Sequence, residues 1–338
     1  MLKVAKQMSK SVVMSPHKAR VVKIDLSRSF SSTDFGFKEI RSEEKERLVR
    51  EVFSKVATNY DVMNDAMSMG VHRLWKDELI RMLGYQGAAR HDPSGDYLPR
   101  HLDVAGGTGD IAFRSMKAMA DCYGSAFELR TDHMKFGEGC YILNNTAEHQ
   151  DQEESDMHHH EGEDGIITRP HDKQVVVCDI NPEMLAVGES RAQTVLGAHL
   201  ADKIGFVEGN AEKLPFDDDS FDIYTIAFGL RNVTNKDKAL REAYRVLRKG
   251  GRLCVLEFSH LPNTVMQQVY DQYSFNVIPK LGEAISNDYD SYQYLVESIR
   301  KFPKQEELRD MLTEAGFSNS EFTNMTLGVV AVHSGFKL

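Results

Sequence analysis

Nowhere does the chain approach the roughly 18 consecutive apolar residues of a membrane-crossing helix. Cysteine is scarce: Cys122, Cys140, Cys178 and Cys254 are all there is in 338 residues. They form no Cys-x-x-Cys pair and no close metal-ligand spacing, so neither a disulfide framework nor a cysteine-bound zinc is indicated, and free thiols in a reducing compartment remain. Basic charge is in deficit, 41 Lys and Arg against 51 Asp and Glu for a net charge of -10. An overall negative balance disfavours nucleic acid as a partner. The deficit is local, however. Residues 115–172 hold 13 acidic and 4 basic side chains, a balance of -9, and the remainder is near neutral.

At this length one α/β domain with extensions is the better expectation than two domains, and 41% apolar residues suffice for a full core. Residues 1–33 carry seven basic residues, one acid (Asp25) and seven serines. That composition, with no unbroken apolar block, is expected of a disordered mitochondrial transit peptide with a processing zone near 28–32. The folded domain is then expected over 34–338. From about Glu39 to Met82, apolar residues such as Val49, Val52, Phe53 and Val56 recur at helical spacing, which predicts two or three amphipathic helices.

Strands and helices alternate after that. Apolar runs at 101–105, 174–179, 204–208, 221–228 and 252–258 predict five strands, with a helix at 236–247. This rhythm calls for a parallel sheet covered on both faces. A helix at 308–315, stopped by Gly316, and strand-like segments at 320–326 and 328–333 close the chain. Residues 116–172 break the pattern with an acidic run at 151–156, His158, His159 and His160, and scattered glycines, and are expected to be an inserted, mostly mobile loop. Adjacent histidines there lack the convergent geometry of a metal site, and no metal is assigned.

The chemistry concentrates at the ends of the strands. In the run from Leu102 to Asp110, a strand enters a turn whose Gly106, Gly107 and Gly109 permit sharp bending and close approach of a ligand to the backbone. The second strand ends on Asp179, placed to accept hydrogen bonds from the two hydroxyls of an adenosine ribose. A dinucleotide site would carry the same acid nearer the glycines; here it lies 70 residues past Gly109. The turn reads Ala-Gly-Gly-Thr-Gly, not Gly-x-Gly-x-x-Gly, and the third strand leads to Asn210 and Ala211, an adenine-reading pair in methyltransferases of this architecture. S-adenosylmethionine is favoured over NAD.

The blocks Tyr60-Asp-Val-Met-Asn-Asp65, His72-Arg-Leu-Trp-Lys76, Asp103-Val-Ala-Gly-Gly-Thr-Gly-Asp110, Phe228-Gly-Leu-Arg-Asn-Val-Thr234 and Arg252-Leu-Cys-Val-Leu-Glu-Phe-Ser259 resemble the ubiquinone/menaquinone biosynthesis C-methyltransferase family. The stretch 287–300 and the closing Gly328-Val-Val-Ala-Val-His333 resemble it too, so that the likeness spans about 35–338 apart from the insertion. It implies a class I S-adenosylmethionine-dependent methyltransferase: a Rossmann-like, doubly wound, mostly parallel seven-stranded α/β sheet with N-terminal helices and a long inserted loop. It also implies that Thr108, Asp179, Asn210 and Ala211 contact S-adenosylmethionine, with Asp103 near its amino group. Where the family often has Ser before the Phe-Gly-Leu-Arg-Asn block this chain has Ala227, which lacks that hydroxyl.

The implied reaction puts a methyl group on a ring carbon of 2-methoxy-6-polyprenyl-1,4-benzoquinol in ubiquinone biosynthesis. A ring carbon becomes nucleophilic when a phenolic proton leaves, so a base or a cation for the phenolate should face the methyl group. Arg231 and Asn232 after the fourth strand, and Tyr60, Asn64, Asp65 and His72 from the N-terminal helices, are the substrate-side candidates. Phe275, Val277, Ile278, Pro279 and Leu281 are candidates for a path for the polyprenyl tail. The resemblance further implies other ubiquinone-biosynthesis proteins in a multi-subunit complex, peripheral contact with the matrix side of the mitochondrial inner membrane, and a homodimer. A demethylmenaquinone methyltransferase, a cofactor-binding subunit without activity and an NAD-dependent dehydrogenase are the alternatives.

Overall fold

The computed structural model describes residues 32–56, 60–91, 97–133 and 173–338. It begins with a hairpin, β1 (Ser32–Phe35) and β2 (Lys38–Arg41), turned at Gly36 with φ +58°. Four helices follow: α1 (Ser42–Val56), α2 (Tyr60–Ser68), α3 (Val71–Leu83) and α4 (Tyr85–His91). Then come β3 (His101–Val104), α5 (Asp110–His133), β4 (Val175–Asp179), α6 (Pro182–Leu196), α7 (Ala198–Ala201) and β5 (Ile204–Glu208). The chain continues through β6 (Phe221–Ala227), a 3-10 turn at Leu230–Asn232, α8 (Lys236–Val246) and β7 (Leu247–Phe258). Three helices, α9 (Thr264–Asn276), α10 (Ile278–Ser286) and α11 (Tyr289–Lys301), precede α12 (Gln305–Glu314), β8 (Ser318–Met325) and β9 (Val330–Phe336).

Seven strands form one sheet in the order β5-β4-β3-β6-β7-β9-β8. The first five are mutually parallel, and β9 runs antiparallel to both β7 and β8. The expected seven-stranded, mostly parallel α/β architecture is what the chain adopts. Side chains alternate between two cores, as a pleated strand requires. On β4, Val176 and Cys178 belong to one core with Leu240 of α8 and Leu308 and Leu312 of α12, while Val175 and Val177 belong to the other with Leu79 of α3 and Met116 of α5. Both faces being covered is why these strands read as nearly unbroken apolar runs. From β3 the chain winds outward to β4 and β5, then returns to β6 on the other side of β3. That reversal opens a crevice beyond the carboxyl ends of β3 and β6, where ligands of such sheets bind.

Three expectations change. Residues 116–133 are not loop: α5 runs to His133 with a break at Gly124 (φ 51°, ψ -128°), and Met116, Met119 and Tyr123 are core residues. An amphipathic helix interrupted by one glycine, in a segment dense with acids, masks its own periodicity. Residues 134–172, with the acidic run and His158 to His160, lie outside the described residues. So do residues 1–31 of the expected leader, but Ser32 and Thr33 belong to β1. The hairpin itself has a polar, charged pattern that gives no strand signal, and it is held instead by contacts with α11. Phe35 stacks on Tyr294 with ring centroids 4.1 Å apart, and the Phe37 amide donates to Glu297 Oε2 at 3.0 Å.

Candidate active site

The crevice at the strand ends has a volume of about 1140 Å³ and is walled by the tips of β3, β4, β5 and β6 and by Glu46, Val49, Arg50 and Phe53 of α1. Its floor is built by close approach of backbone. Ala105 lies in the left-handed region at φ 52°, and a Cβ on Gly229 would sit 2.4 Å from the Ala105 Cβ, so the tips of β3 and β6 touch only because residue 229 has no side chain. A Cβ on Gly106 would meet Asp103 Oδ2 at 2.7 Å. The Asp179 carboxylate receives the Gly107 amide at 2.9 Å on Oδ2 and the Asn181 amide at 2.9 Å on Oδ1. Burial raises its pKa, against these amides, which favour the charged form. Asn181 caps α6 through the Glu183 and Met184 amides, and its Nδ2 donates to Arg50 O (3.2 Å) and Ser54 Oγ (3.1 Å), so the end of β4 also holds α1 over the crevice. Asn210 Nδ2 donates to Glu46 Oε2 at 3.1 Å, a second tie to α1.

Asp103 is fully buried and lines the crevice. Its Oδ1 accepts from Thr225 Oγ1 at 2.7 Å, and its Oδ2, buried beneath Gly106, has no hydrogen-bond partner among the described residues. Burial pushes this carboxyl up to about 7, with the neighbouring Asp110 and Asp179 adding to the rise and Thr225 opposing it. A buried carboxylate oxygen without a donor suits a cationic ligand. S-adenosylmethionine carries two cationic centres, and together with the Asp179 carboxylate and the side-chain-free cradle at Gly106 and Gly229 the residues present fit it.

A second cavity of about 1050 Å³ adjoins the first; Phe53, Lys76 and Phe228 line both. It lies between α1 to α3 on one side and α9 to α11 on the other, and its walls are mostly aromatic and aliphatic: Trp75, Phe258, Tyr270, Tyr273, Tyr292 and Tyr294 among them. Arg231 enters it from the 3-10 turn. Its Nη1 donates to Glu257 Oε1 at 3.0 Å and to the Phe228 carbonyl, while its Nε is buried with no partner. Glu257 accepts from the Arg231 and Phe258 amides as well. Burial raises its pKa, opposed by the guanidinium. Lys76, also buried, donates to Asp110 Oδ2 at 2.7 Å at the boundary of the two cavities.

The crevice brings together Asp103, Gly106, Gly107, Thr108, Asp179, Asn210, Ala211, Ala227 and Asn232. Gly109 is not in its lining; at φ 81°, with the Phe113 ring 2.9 Å from where a Cβ would be, it shapes the turn into α5. The second cavity takes Asn64, His72 and Arg231. Asp65 is not in that lining, because its carboxylate is held by Arg73 at 2.9 and 2.6 Å on the surface. Asn232 faces the cofactor crevice and accepts from Tyr294 OH at 3.0 Å. His72 contacts Ser68 Oγ at 3.0 Å, and burial together with Lys76 pushes its pKa down to about 4, leaving a neutral ring that is a poor proton acceptor. The Tyr60 side chain lies outside the described residues. Of the tail-path candidates only Ile278 lines the second cavity; Phe275 stacks against Phe37, Val277 is exposed and Pro279 is buried in α10. Sequence reasoning missed Glu257, Lys76 and Asn181. A lone Glu inside the apolar run of β7 was the one available signal.

Residues 40–337 match the model of the ubiE/COQ5 methyltransferase family. The chain belongs to that family. It is similar over most of its length to curated relatives called 2-methoxy-6-polyprenyl-1,4-benzoquinol methylase, mitochondrial. The Danio rerio protein is 47% identical over 307 residues, covering 91% of this chain and 85% of its own length. The Gallus gallus protein is 47% identical over 311 residues, covering 90% and 89%. That of Oryza sativa subsp. japonica is 44% identical over 309 residues, covering 91% and 89%. As a ubiE/COQ5 methyltransferase the chain is an enzyme that uses S-adenosylmethionine as methyl donor. Among the described residues no cluster of His, Cys, Asp or Glu is arranged to hold a metal, and no helix is long and apolar enough to cross a membrane.

Proposed function

We propose that this methyltransferase methylates a ring carbon of 2-methoxy-6-polyprenyl-1,4-benzoquinol in ubiquinone biosynthesis, with the cofactor in the strand-end crevice and the quinol ring in the adjoining cavity. The observation that carries the reading is the meeting of the two cavities at Phe53, Lys76 and Phe228, with an apolar, tyrosine-rich chamber behind and the Arg231 side chain in its wall. The relatives' names and the apolar walls support a prenylated quinol as occupant.

When bound, S-adenosylmethionine supplies an electrophilic methyl group on a sulfonium. The chain supplies alignment and charge. Asp179 holds the ribose hydroxyls, Asn210 and Ala211 flank the adenine, and Thr108 and Asp103 hold the amino-acid end. Arg231, oriented by Glu257, donates to the phenol oxygen and stabilises the phenolate left when the phenolic proton passes to water; that phenolate drives electron density onto the ring carbon, and the ring proton displaced by the new carbon bond leaves to water in turn. Asn64 orients the ring oxygens, and Phe228 and Phe53 keep water from the line of transfer. The reading extends to contact with the matrix side of the mitochondrial inner membrane and association with other quinone-biosynthesis proteins; the relatives' names support the mitochondrion, and a tail soluble only in lipid supports the membrane contact.

Incubation of the pure protein with methyl-labelled S-adenosylmethionine and a short-tailed 2-methoxy-6-prenyl-1,4-benzoquinol tests the reading. Label on a ring carbon is expected. Label on oxygen, or none, refutes it.

A further inference from the structure

Behind the crevice runs a line of polar side chains that the methyl-transfer scheme does not use. Tyr85 of α4, Ser115 of α5, His101 of β3 and Thr225 of β6 are all buried, on the α5 side of the sheet, in the heart of an apolar core. Their contacts are short: Tyr85 OH to Ser115 Oγ 2.6 Å, Ser115 Oγ to His101 Nδ1 2.7 Å, His101 Nε2 to Thr225 Oγ1 2.7 Å, and Thr225 Oγ1 to Asp103 Oδ1 2.7 Å. Buried polar groups are costly unless each finds a partner, and a complete chain such as this orders its members.

The protons can be assigned by elimination. A carboxylate oxygen only accepts, so Thr225 spends its single hydroxyl proton on Asp103. Thr225 Oγ1 must then accept from His101, which carries its proton on Nε2 and leaves Nδ1 bare. Nδ1 accepts from Ser115 at 2.7 Å or from Tyr85 at 3.2 Å, and the other of these two hydroxyls donates to the first at 2.6 Å. Every donor points towards Asp103. Burial pushes His101 down to about 3, so the ring stays neutral and the tautomer stays single.

We propose that Thr225, His101 and Ser115 are positioning residues for cofactor binding, a one-way hydrogen-bond chain that keeps Asp103 ionised and fixed beneath the Gly106 turn as the counter-charge to a cationic centre of S-adenosylmethionine. The inference rests on the cofactor occupying the strand-end crevice. Without the chain, desolvation and the neighbouring carboxylates favour a neutral Asp103 that offers no counter-charge. The other ionisable groups that reach Asp103 are Asp110 at the head of α5, itself paired to Lys76 of α3, Asp179 and Cys178 of β4, Tyr224 of β6 and Tyr85. Burial pushes the thiol and both phenols upward, so they stay neutral at working pH. Thr225 touches Asp103 and not Asp179, so a change at Thr225 reports on Asp103.

The test is S-adenosylmethionine affinity by calorimetry from pH 5.5 to 8.5 for the full chain, Thr225→Val, Thr225→Ser and Ser115→Ala. The parent should lose affinity as pH falls. In Thr225→Val the midpoint of that loss should move up by about one pH unit, equivalent to about tenfold weaker binding on the acid limb, and Thr225→Ser should restore the parent curve. Ser115→Ala should move the midpoint the same way by less, and it decides the matter if Thr225→Val does not fold. Midpoints unchanged from the parent in the folded variants, whatever their melting temperatures, overturn the proposal. A parent that binds no S-adenosylmethionine at any pH instead overturns the cofactor assignment beneath it.

Discussion

Replacing Asp103 by Asn should make the protein more stable at alkaline pH while it weakens cofactor binding. In the fold Asp103 holds its proton up to about pH 7, whereas an unstructured Asp releases it near 3.8. A carboxyl raised in this way binds more protons folded than unfolded throughout that window, so it subtracts stability as pH climbs from about 4 to 7, and the subtraction is complete above 7. The full penalty is on the order of 4 kcal/mol at pH 8 and about half of that at pH 5. Asn keeps an acceptor for Thr225 but puts an amide N–H pair where Oδ2 had no partner, which costs about 1–3 kcal/mol at every pH. The stability of Asp103→Asn relative to the parent should therefore rise by about 2–3 kcal/mol between pH 5 and pH 8. Urea unfolding of both proteins at the two pH values measures this directly. A difference between them that does not change with pH would refute the placement of an ionised, desolvated carboxylate at this position. Calorimetry on the same samples should show weakened S-adenosylmethionine binding at pH 8, since the counter-charge is gone.

Arg231→Ala should abolish turnover and leave S-adenosylmethionine affinity near the parent value, but unpairing the buried Glu257 should cost about 3–5 kcal/mol. The double variant Arg231→Met with Glu257→Gln should regain most of that stability in denaturant melts and none of the turnover. Gly229→Ala should weaken cofactor binding and lower stability by about 1–3 kcal/mol as the tips of β3 and β6 are forced apart; Gly87→Ala, in open space on α4, serves as the control and should stabilise by up to about 1 kcal/mol. Asn181→Ala should cost about 1–2 kcal/mol through the lost cap of α6 and raise amide exchange in α1, which Asn181 ties down; unchanged exchange there would show that α1 is held by other contacts.

What could be read from the chain alone follows the range of the physics involved. The five parallel strands are legible because burial on both faces makes each a short apolar run, and the glycine turn is legible because backbone approach needs consecutive residues without side chains. Asp179 and Asn210 are legible because each sits at a strand tip. Glu257 and Lys76 are different: their meaning depends on Arg231, 26 residues away, and Asp110, 34 residues away, and no local pattern announces such a partner. His101, Ser115 and Thr225 read singly as small or odd core residues, and only the register of β3 with β6, which sets Asp103 opposite Thr225 and His101 opposite Ile223, aligns them. Asp65, picked out by the block around it, is spent on Arg73.

The placement of charge accords with two adjoining cavities for the two unlike ligands proposed. Two buried cations near the junction of the cavities are matched within the chain, Arg231 by Glu257 and Lys76 by Asp110, while one group beside each cavity keeps a buried polar atom without a hydrogen-bond partner among the described residues: Asp103 Oδ2 at the crevice and Arg231 Nε at the second cavity. Paired charges in an apolar wall contribute direction without a net field that would repel a lipid-like substrate. The unmet acceptor suits a cation and the unmet donor suits a developing phenolate. Between them stands Phe228, in the left-handed region at φ 56° and packed on Phe258 and Trp75. A residue held in that conformation resists displacement only while its aromatic neighbours stay packed, so the wall between the two cavities is set by the same apolar side chains that line the second of them.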